Sequence, residues 1–184
     1  MDKTTFIRHY CANYRILEDK VIDSSDYVSI DRNNYATFSS NYIFLFLSIC
    51  SEIDSLAGEY CNIISSDSDV NWGGIVNKID LIISKHPNLR NIRIDTKDPF
   101  EKQSFVPFTK IEENTTSWWT DYNKIKHNRT EKDSSGRYNY QKANLKNILH
   151  AIASLYILLL LIGKEFGFDN TSPITSKLFQ DYIV

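Results

Sequence analysis

Three cysteines in 184 residues, no phosphate-binding glycine loop and no excess of either charge remove several classes of protein at the outset. Cys11, Cys50 and Cys61 are odd in number, lack metal-type spacing and sit in apolar, helix-like stretches. They read as reduced core thiols of an intracellular protein, not as a disulfide framework. His9, His86, His127 and His150 show no i, i+4 pairing with one another, so no zinc site and no other metal or cofactor is expected. Neither a P-loop nor a G-x-G-x-x-G pattern is present. The net charge of −2 rules out a polycation, so any nucleic-acid contact must come from a local basic cluster. The first fifteen residues, MDKTTFIRHYCANYR, contain no apolar stretch of the signal-peptide kind. The longest apolar run, Ile148 to Ile162, carries His150 and Ser154. It falls short of the roughly 20 residues of a membrane span and suits a buried helix instead. A cytoplasmic location without membrane contact is the resulting expectation.

What the chain does have is enough apolar sequence for one core. Hydrophobic and charged contents of 42% and 24% are ordinary for a globular protein, which argues against disorder of the whole chain. With no internal repeat or linker, residues 1–184 read as a single domain. Residues 4 to 22 have helical spacing through Phe6, Tyr10, Leu17 and Val21. A long helix follows over about 37 to 65, apolar nearly all round in its first half, which predicts a central, buried element. Trp72, Ile75, Val76, Ile79, Ile82 and Ile83 mark a third helix that ends near His86-Pro87, because proline disfavours helix in the residue before it. Residues 87 to 113 alternate and contain prolines, which predicts an irregular excursion with one short β-hairpin. Over about 138 to 165, Leu145, Ile148, Ile152, Leu155, Leu159 and Ile162 form a stripe at spacings of three and four. Such a stripe suits a bundle or a helix–helix interface. The tail SPITSKLFQDYIV is expected to add a short helix. The fold class is therefore all-α, a four- to five-helix bundle with the excursion at about 87–113.

One segment carries both aromatic and cationic residues, WWTDYNKIKHNRT at 118 to 130. On a helix capped by Thr115, Thr116 or Ser117, Trp118, Tyr122, Ile125 and Arg129 share a face, and the first three should enter the core. Trp119, Asn123 and Lys126 share a neighbouring face, with His127 one turn after Asn123. The segment thus pairs an aromatic anchor with a polar side carrying Asn123, Lys126, His127 and Arg129. A cationic cluster late in a helix also complements the negative end of the helix dipole, so spacing alone leaves that structural role open.

SWWTDYNKIKHNR resembles the signature of a group of prokaryotic HEPN-like proteins, W-W-x-x-Y-N-x-x-K-H-x-R. The matching residues are Trp118, Trp119, Tyr122, Asn123, Lys126, His127 and Arg129. DPFEK at 98 to 102, FVPF at 105 to 108 and SICSEID at 48 to 54 are similar to that group as well, so the resemblance spans roughly residues 38 to 162. It implies an α-helical bundle that dimerises. It further implies an RNA-directed role in bacterial defence or a toxin–antitoxin pair, as a metal-independent endoribonuclease or an RNA-binding effector. The partners it implies are RNA, a second copy of the chain, and a protein partner such as an antitoxin. His127 would then be the motif histidine, able near pH 7 to move the proton of an RNA 2′-hydroxyl, with Asn123 and Lys126 beside it as catalytic candidates. Lys126 and Arg129 would hold the phosphate, and Tyr122 and Arg129 are the substrate-binding candidates. The typical R-x(4–6)-H arginine is absent, since positions 120 to 122 hold Thr120, Asp121 and Tyr122.

That departure keeps a second reading in view: a non-catalytic, dimeric protein-interaction module of the same fold, joined through the Leu145 to Ile162 stripe. A third, a small-ligand-binding bundle, has no positive support. Glu52 and Asp54 are two residues apart and do not share a helix face, but Glu52 is placed to approach His127 across the bundle and orient it.

Overall fold

The computed structural model describes residues 1–65, 72–109, 117–168 and 174–180. The chain enters through α1 (Lys3–Thr5), a π turn over Phe6–Cys11 and α2 (Ala12–Asp23), in effect one rod. Asp2 caps it, its carboxylate accepting from Thr5 N at 2.9 Å. Next come α3 (Ser40–Ile64), α4 (Ile75–Lys85), α5 (Trp118–Asn128) and α6 (Leu145–Glu165). Ser39 starts α3 by accepting from Tyr42 N, and Asn144 starts α6 by accepting from Asn147 N. Each satisfies one of the orphan amides of a first helical turn. The end of α6 is fixed just as locally. Gly167 has φ 71°, Phe168 N donates to Gly163 O at 2.9 Å, and Gly167 N donates to Lys164 O at 2.9 Å. This is a Schellman closure, which needs a left-handed residue at that position.

The all-α expectation holds, although the last helix begins at Leu145 and not near 138, because residues 139–142 form a separate 3-10 turn. The centre of the bundle differs. It is α6, buried from Leu145 to Gly163 except at Lys146 and His150, and it packs chiefly on α3. The first half of α3, expected to be central, leaves Phe44 66% exposed and Ile43 and Leu47 only half-buried. Among the described residues α6 is also the one helix long and apolar enough to cross a membrane, and its apolar window is almost wholly inside the bundle. In α4, Ile75, Ile79 and Ile82 are buried and Val76 and Ile83 half-buried. Trp72 precedes that helix and donates from Nε1 to Asn62 Oδ1 at 2.8 Å.

The expected hairpin is present: β1 (Ile94–Asp95) pairs antiparallel with β2 (Ser104–Phe105). The described part of the tail corrects the helix expectation. It runs extended beside β1, with a bridge from Phe179 to Thr96 and bonds Lys97 N to Leu178 O and Gln180 N to Asp95 O. The reason is legible in period two: Ile174, Ser176 and Leu178 are buried, and Thr175 and Lys177 are exposed. Its anchor is Glu18 of α2, a buried carboxylate. It accepts from Tyr14 at 2.7 Å, from the Ser176 hydroxyl, and from the amides of Lys177 and Leu178 at 3.0 and 3.1 Å. All three cysteines are free and buried, and burial pushes the Cys11 thiol up to about 12 and the Cys61 thiol up to about 11.

Candidate nucleic-acid interface

Ser117 caps α5 by accepting from Thr120 N at 3.3 Å. The aromatic residues beyond it turn inward. Trp118 donates to Pro107 O at 2.8 Å, so its indole N–H has a partner although the ring is buried. Trp118 and Trp119 meet edge to face at 5.6 Å, Trp119 lies 4.9 Å from Tyr122, and Tyr122 meets Phe46 of α3 at 6.3 Å. Ile125 completes the buried side. Trp119, which by spacing shares a face with Asn123 and Lys126, is buried like Trp118, so both indoles pin the helix. Tyr122 is an anchor as well. At 6% exposure, with burial raising its hydroxyl pKa, its ring is out of reach of a substrate.

The polar candidates stay together on the outside: Asn123, Lys126, His127 and Arg129 are all exposed. Lys126 holds its ammonium 5.6 Å from the Tyr122 ring centroid, which ties the cationic side to the anchor. Among the described residues, no side chain hydrogen-bonds to His127 or to the Arg129 guanidinium.

The helix end is fastened by other groups. Asn128 O accepts from Asn139 Nδ2 at 2.9 Å and from Glu131 N at 3.1 Å, and Arg129 O accepts from Tyr140 N at 3.0 Å. The Asn128 and Arg129 carbonyls therefore do not depend on the neighbouring cations for their hydrogen bonds. Lys126, His127 and Arg129 are left to project, although the Lys126 and Arg129 charges still face the negative pole of the helix.

The loop that closes this end is built on Asp133. It accepts from Ser135 N at 2.9 Å, Ser135 Oγ at 2.6 Å, Arg137 N at 3.1 Å and Lys142 Nζ at 2.9 Å. These donors, the Ser135 hydroxyl foremost and Lys142 next, hold its carboxyl well below the usual range. Gly136, with φ 79°, makes the turn possible. Neither Asn139 nor Asp133 is singled out by the sequence, although the Asp-Ser-Ser-Gly run does mark a loop hinged at Gly136.

Asp121, at one of the three positions open to a motif arginine before His127, accepts from Asn147 Nδ2 of α6 at 2.9 Å, with Lys142 Nζ at 3.9 Å. Glu52 is engaged elsewhere: Asn13 of α2 donates to it at 3.2 Å. It faces α2, which corrects the idea that it orients His127. No group of three or more His, Cys, Asp or Glu suited to a metal occurs among the described residues. No protein-family model, curated protein or solved structure matches the chain.

Proposed function

We propose that this chain is a HEPN-like, RNA-directed protein of a bacterial defence or toxin–antitoxin system, working as a metal-independent endoribonuclease or as an RNA-binding effector. The observation that carries the reading is the sorting of the motif. Trp118, Trp119, Tyr122 and Ile125 are spent on anchoring, while Asn123, Lys126, His127 and Arg129 stand together, exposed, on the same two turns. Rigid presentation of a histidine between two cations suits a phosphodiester: the cations hold the phosphate and the imidazole takes a proton. In the nucleolytic form, His127 takes the 2′-hydroxyl proton as that oxygen attacks the adjacent phosphorus, and water returns a proton to the departing 5′-oxygen. The charge of the absent arginine is then supplied by Lys126 and Arg129, and pairing of two α5 helices across a two-fold axis completes the site.

The test is direct. Purified protein in EDTA, incubated with mixed single-stranded and structured RNAs, should cleave or bind them. His127→Ala should reduce cleavage by about 10²- to 10⁴-fold, the usual worth of a positioned proton-transfer group, with an unchanged melt. Lys126→Ala and Arg129→Ala should each weaken binding and flatten its salt dependence by about one counterion. Absence of both binding and cleavage in the wild type would defeat the reading.

A second reading, the non-catalytic dimeric interaction module, is favoured by a different surface. The stripe from Leu145 to Ile162 is consumed inside one chain and offers no face to a second copy, which corrects the interface expected from spacing. An apolar groove between α2 and α3 remains open instead. Two adjoining cavities of about 520 and 420 Å³ share Leu17 and Ser48, with Ile16, Tyr27 and Phe44 exposed along them. Lys20 and Asp23 lie on its rim, one turn apart. In this reading the occupant is a second copy related by a two-fold axis, which sets each Lys20 against the partner subunit's Asp23.

A further inference from the structure

The loop that fastens α5 carries an aromatic ladder that the motif does not explain. Tyr138 and Tyr140 stack nearly parallel, 5.2 Å apart with 13° between their planes. Lys132 holds its ammonium 4.8 Å from the Tyr138 ring, and Phe38 lies 6.0 Å from Tyr140. Tyr138 is 37% and Phe38 42% exposed, so the ladder sits on the surface. Its place is set by the backbone. Tyr140 N donates to Arg129 O, Asn139 N donates to Glu131 O at 2.8 Å, and Lys132 bridges Tyr138. The rings therefore begin where the exposed cations of α5 end. Residues 124 to 137 hold five cations, Lys124, Lys126, Arg129, Lys132 and Arg137, and two carboxylates, in a chain whose net charge is −2. One of those carboxylates, Asp133, is occupied by Lys142 and by its own turn.

Resting on the RNA reading above, we propose that Tyr138 and Tyr140 form a base-stacking platform that makes the α5 surface selective for single-stranded RNA. The competition at Tyr138 decides whether a base can land there. An exposed cation–π contact is worth about 0.5–1 kcal/mol, and stacking of a base on an aromatic side chain about 1–3 kcal/mol. A base therefore displaces the Lys132 ammonium from the ring face. The freed ammonium lies beside the incoming strand and takes a phosphate, so its charge is moved rather than lost. The platform tolerates any base, because every base has a π face, and purines gain most from their larger surface. Duplex RNA is disfavoured, since its bases are already stacked on one another and its deep groove keeps side chains from them. Phe38 extends the ladder toward the start of α3 and gives a second base a surface beside Tyr140.

The test uses fluorescence anisotropy with four labelled probes: a ten-residue oligoadenylate, a ten-residue oligouridylate, an abasic ten-residue strand with the same phosphates, and a ten-base-pair duplex. The wild type should bind oligoadenylate most tightly and the abasic strand and duplex least. Tyr138→Ala should weaken oligoadenylate binding by about 5- to 150-fold, the equivalent of one stacked base. It should leave the salt slope and the abasic affinity unchanged. Tyr138→Phe should restore binding, because the ring and not the hydroxyl does the work. Lys126→Ala should do the opposite, lowering the affinity of all four probes and the salt slope. Equal wild-type affinity for oligoadenylate and the abasic strand, with Tyr138→Ala silent and Lys126→Ala weak, would overturn the platform and leave the RNA reading standing. A Tyr138→Ala protein that melts earlier but binds as the wild type does would show the ladder to be loop packing alone. Failure of the wild type to bind any probe would remove the platform together with the RNA reading.

Discussion

His150 shows how one side chain sets a pH limit. It sits on α6 with its ring edge-on to Phe105 at 5.1 Å, and in the neutral form Nδ1–H donates to Lys146 O at 2.8 Å. Burial lowers its pKa, and burial followed by the neighbouring Lys85 lowers that of His86, whose ring meets the Tyr60 hydroxyl. Both histidines are therefore more easily protonated in the unfolded chain than in the folded one. The stability they contribute is present above the ordinary histidine value of 6.5 and is lost as pH falls through it toward the depressed folded values. The carboxyls with lowered pKa values, such as Asp95 and Asp133, titrate below 3.8 and do not act in that window. The melting temperature should fall between pH 7 and pH 5, and the fall should shrink in His150→Gln. A flat profile over that range would place these rings in solvent. Sequence reading had the opposite emphasis: it singled out His127 from its cationic neighbours and passed over His150 as part of an apolar run. What hid His150 is that its environment is made by Phe105, forty-five positions away, which no local spacing reveals.

The helices were legible as elements because they repeat. Six apolar positions at spacings of three and four fix a helix whatever it packs against, and Ser39, Ser117 and Asn144 stand at N-caps as their residue types predict. The tail was not legible, although its alternation is plain once Ile174, Ser176 and Leu178 are known to be buried. The alternation from Ile174 to Leu178 is too short for periodicity to choose between helix and strand, and the choice was made by β1 and by Glu18 at long range. That gives an element-level prediction. Glu18→Leu removes the acceptor for two hydroxyls and two amides. A single buried donor left without a partner costs about 1–3 kcal/mol, so chemical denaturation should register a loss of at least that size. Limited proteolysis should then cut the segment near Lys177, which in the wild type is held by Asp19 at 2.7 Å. Unchanged stability and protection would mean that the strand pairing alone holds the tail. The Schellman closure of α6 allows a smaller test: Gly167→Val, forced to φ 71°, should lower stability by about 1–2 kcal/mol.

At the scale of the molecule, α6 and not α3 is the axis of the bundle, and this leaves the open apolar surface on α3. Apolarity all round pointed to the first half of α3 as the centre, but both helices are apolar; what ranks them is that α6 is covered along almost its whole length and α3 is left open toward α2. Ile152→Asp should therefore abolish soluble folding, because position 152 is fully buried and an unpaired carboxylate there has no partner. A soluble variant with a cooperative melt would contradict the central place of α6.

Phe44 asks the complementary question. It is 66% exposed beside the larger cavity, and Phe44→Asp should leave the fold intact while placing charge in the groove. Sedimentation equilibrium at micromolar concentration should give a two-fold dimer for the wild type, the commonest symmetry of soluble oligomers. If the α2–α3 groove forms that dimer, Phe44→Asp should be monomeric. Exchanging the rim charges should then follow a pattern: Lys20→Asp weakens the dimer, and adding Asp23→Lys restores it, because the two positions face each other across the axis. If the dimer instead pairs two α5 helices, Phe44→Asp should stay dimeric and Arg129→Glu should dissociate it. RNA cleavage should then fall with the dimer, since each half-site would lack its partner. A wild type that is monomeric throughout would exclude the composite active site and the interaction module together, leaving single-chain RNA binding by the exposed face of α5 and its aromatic ladder.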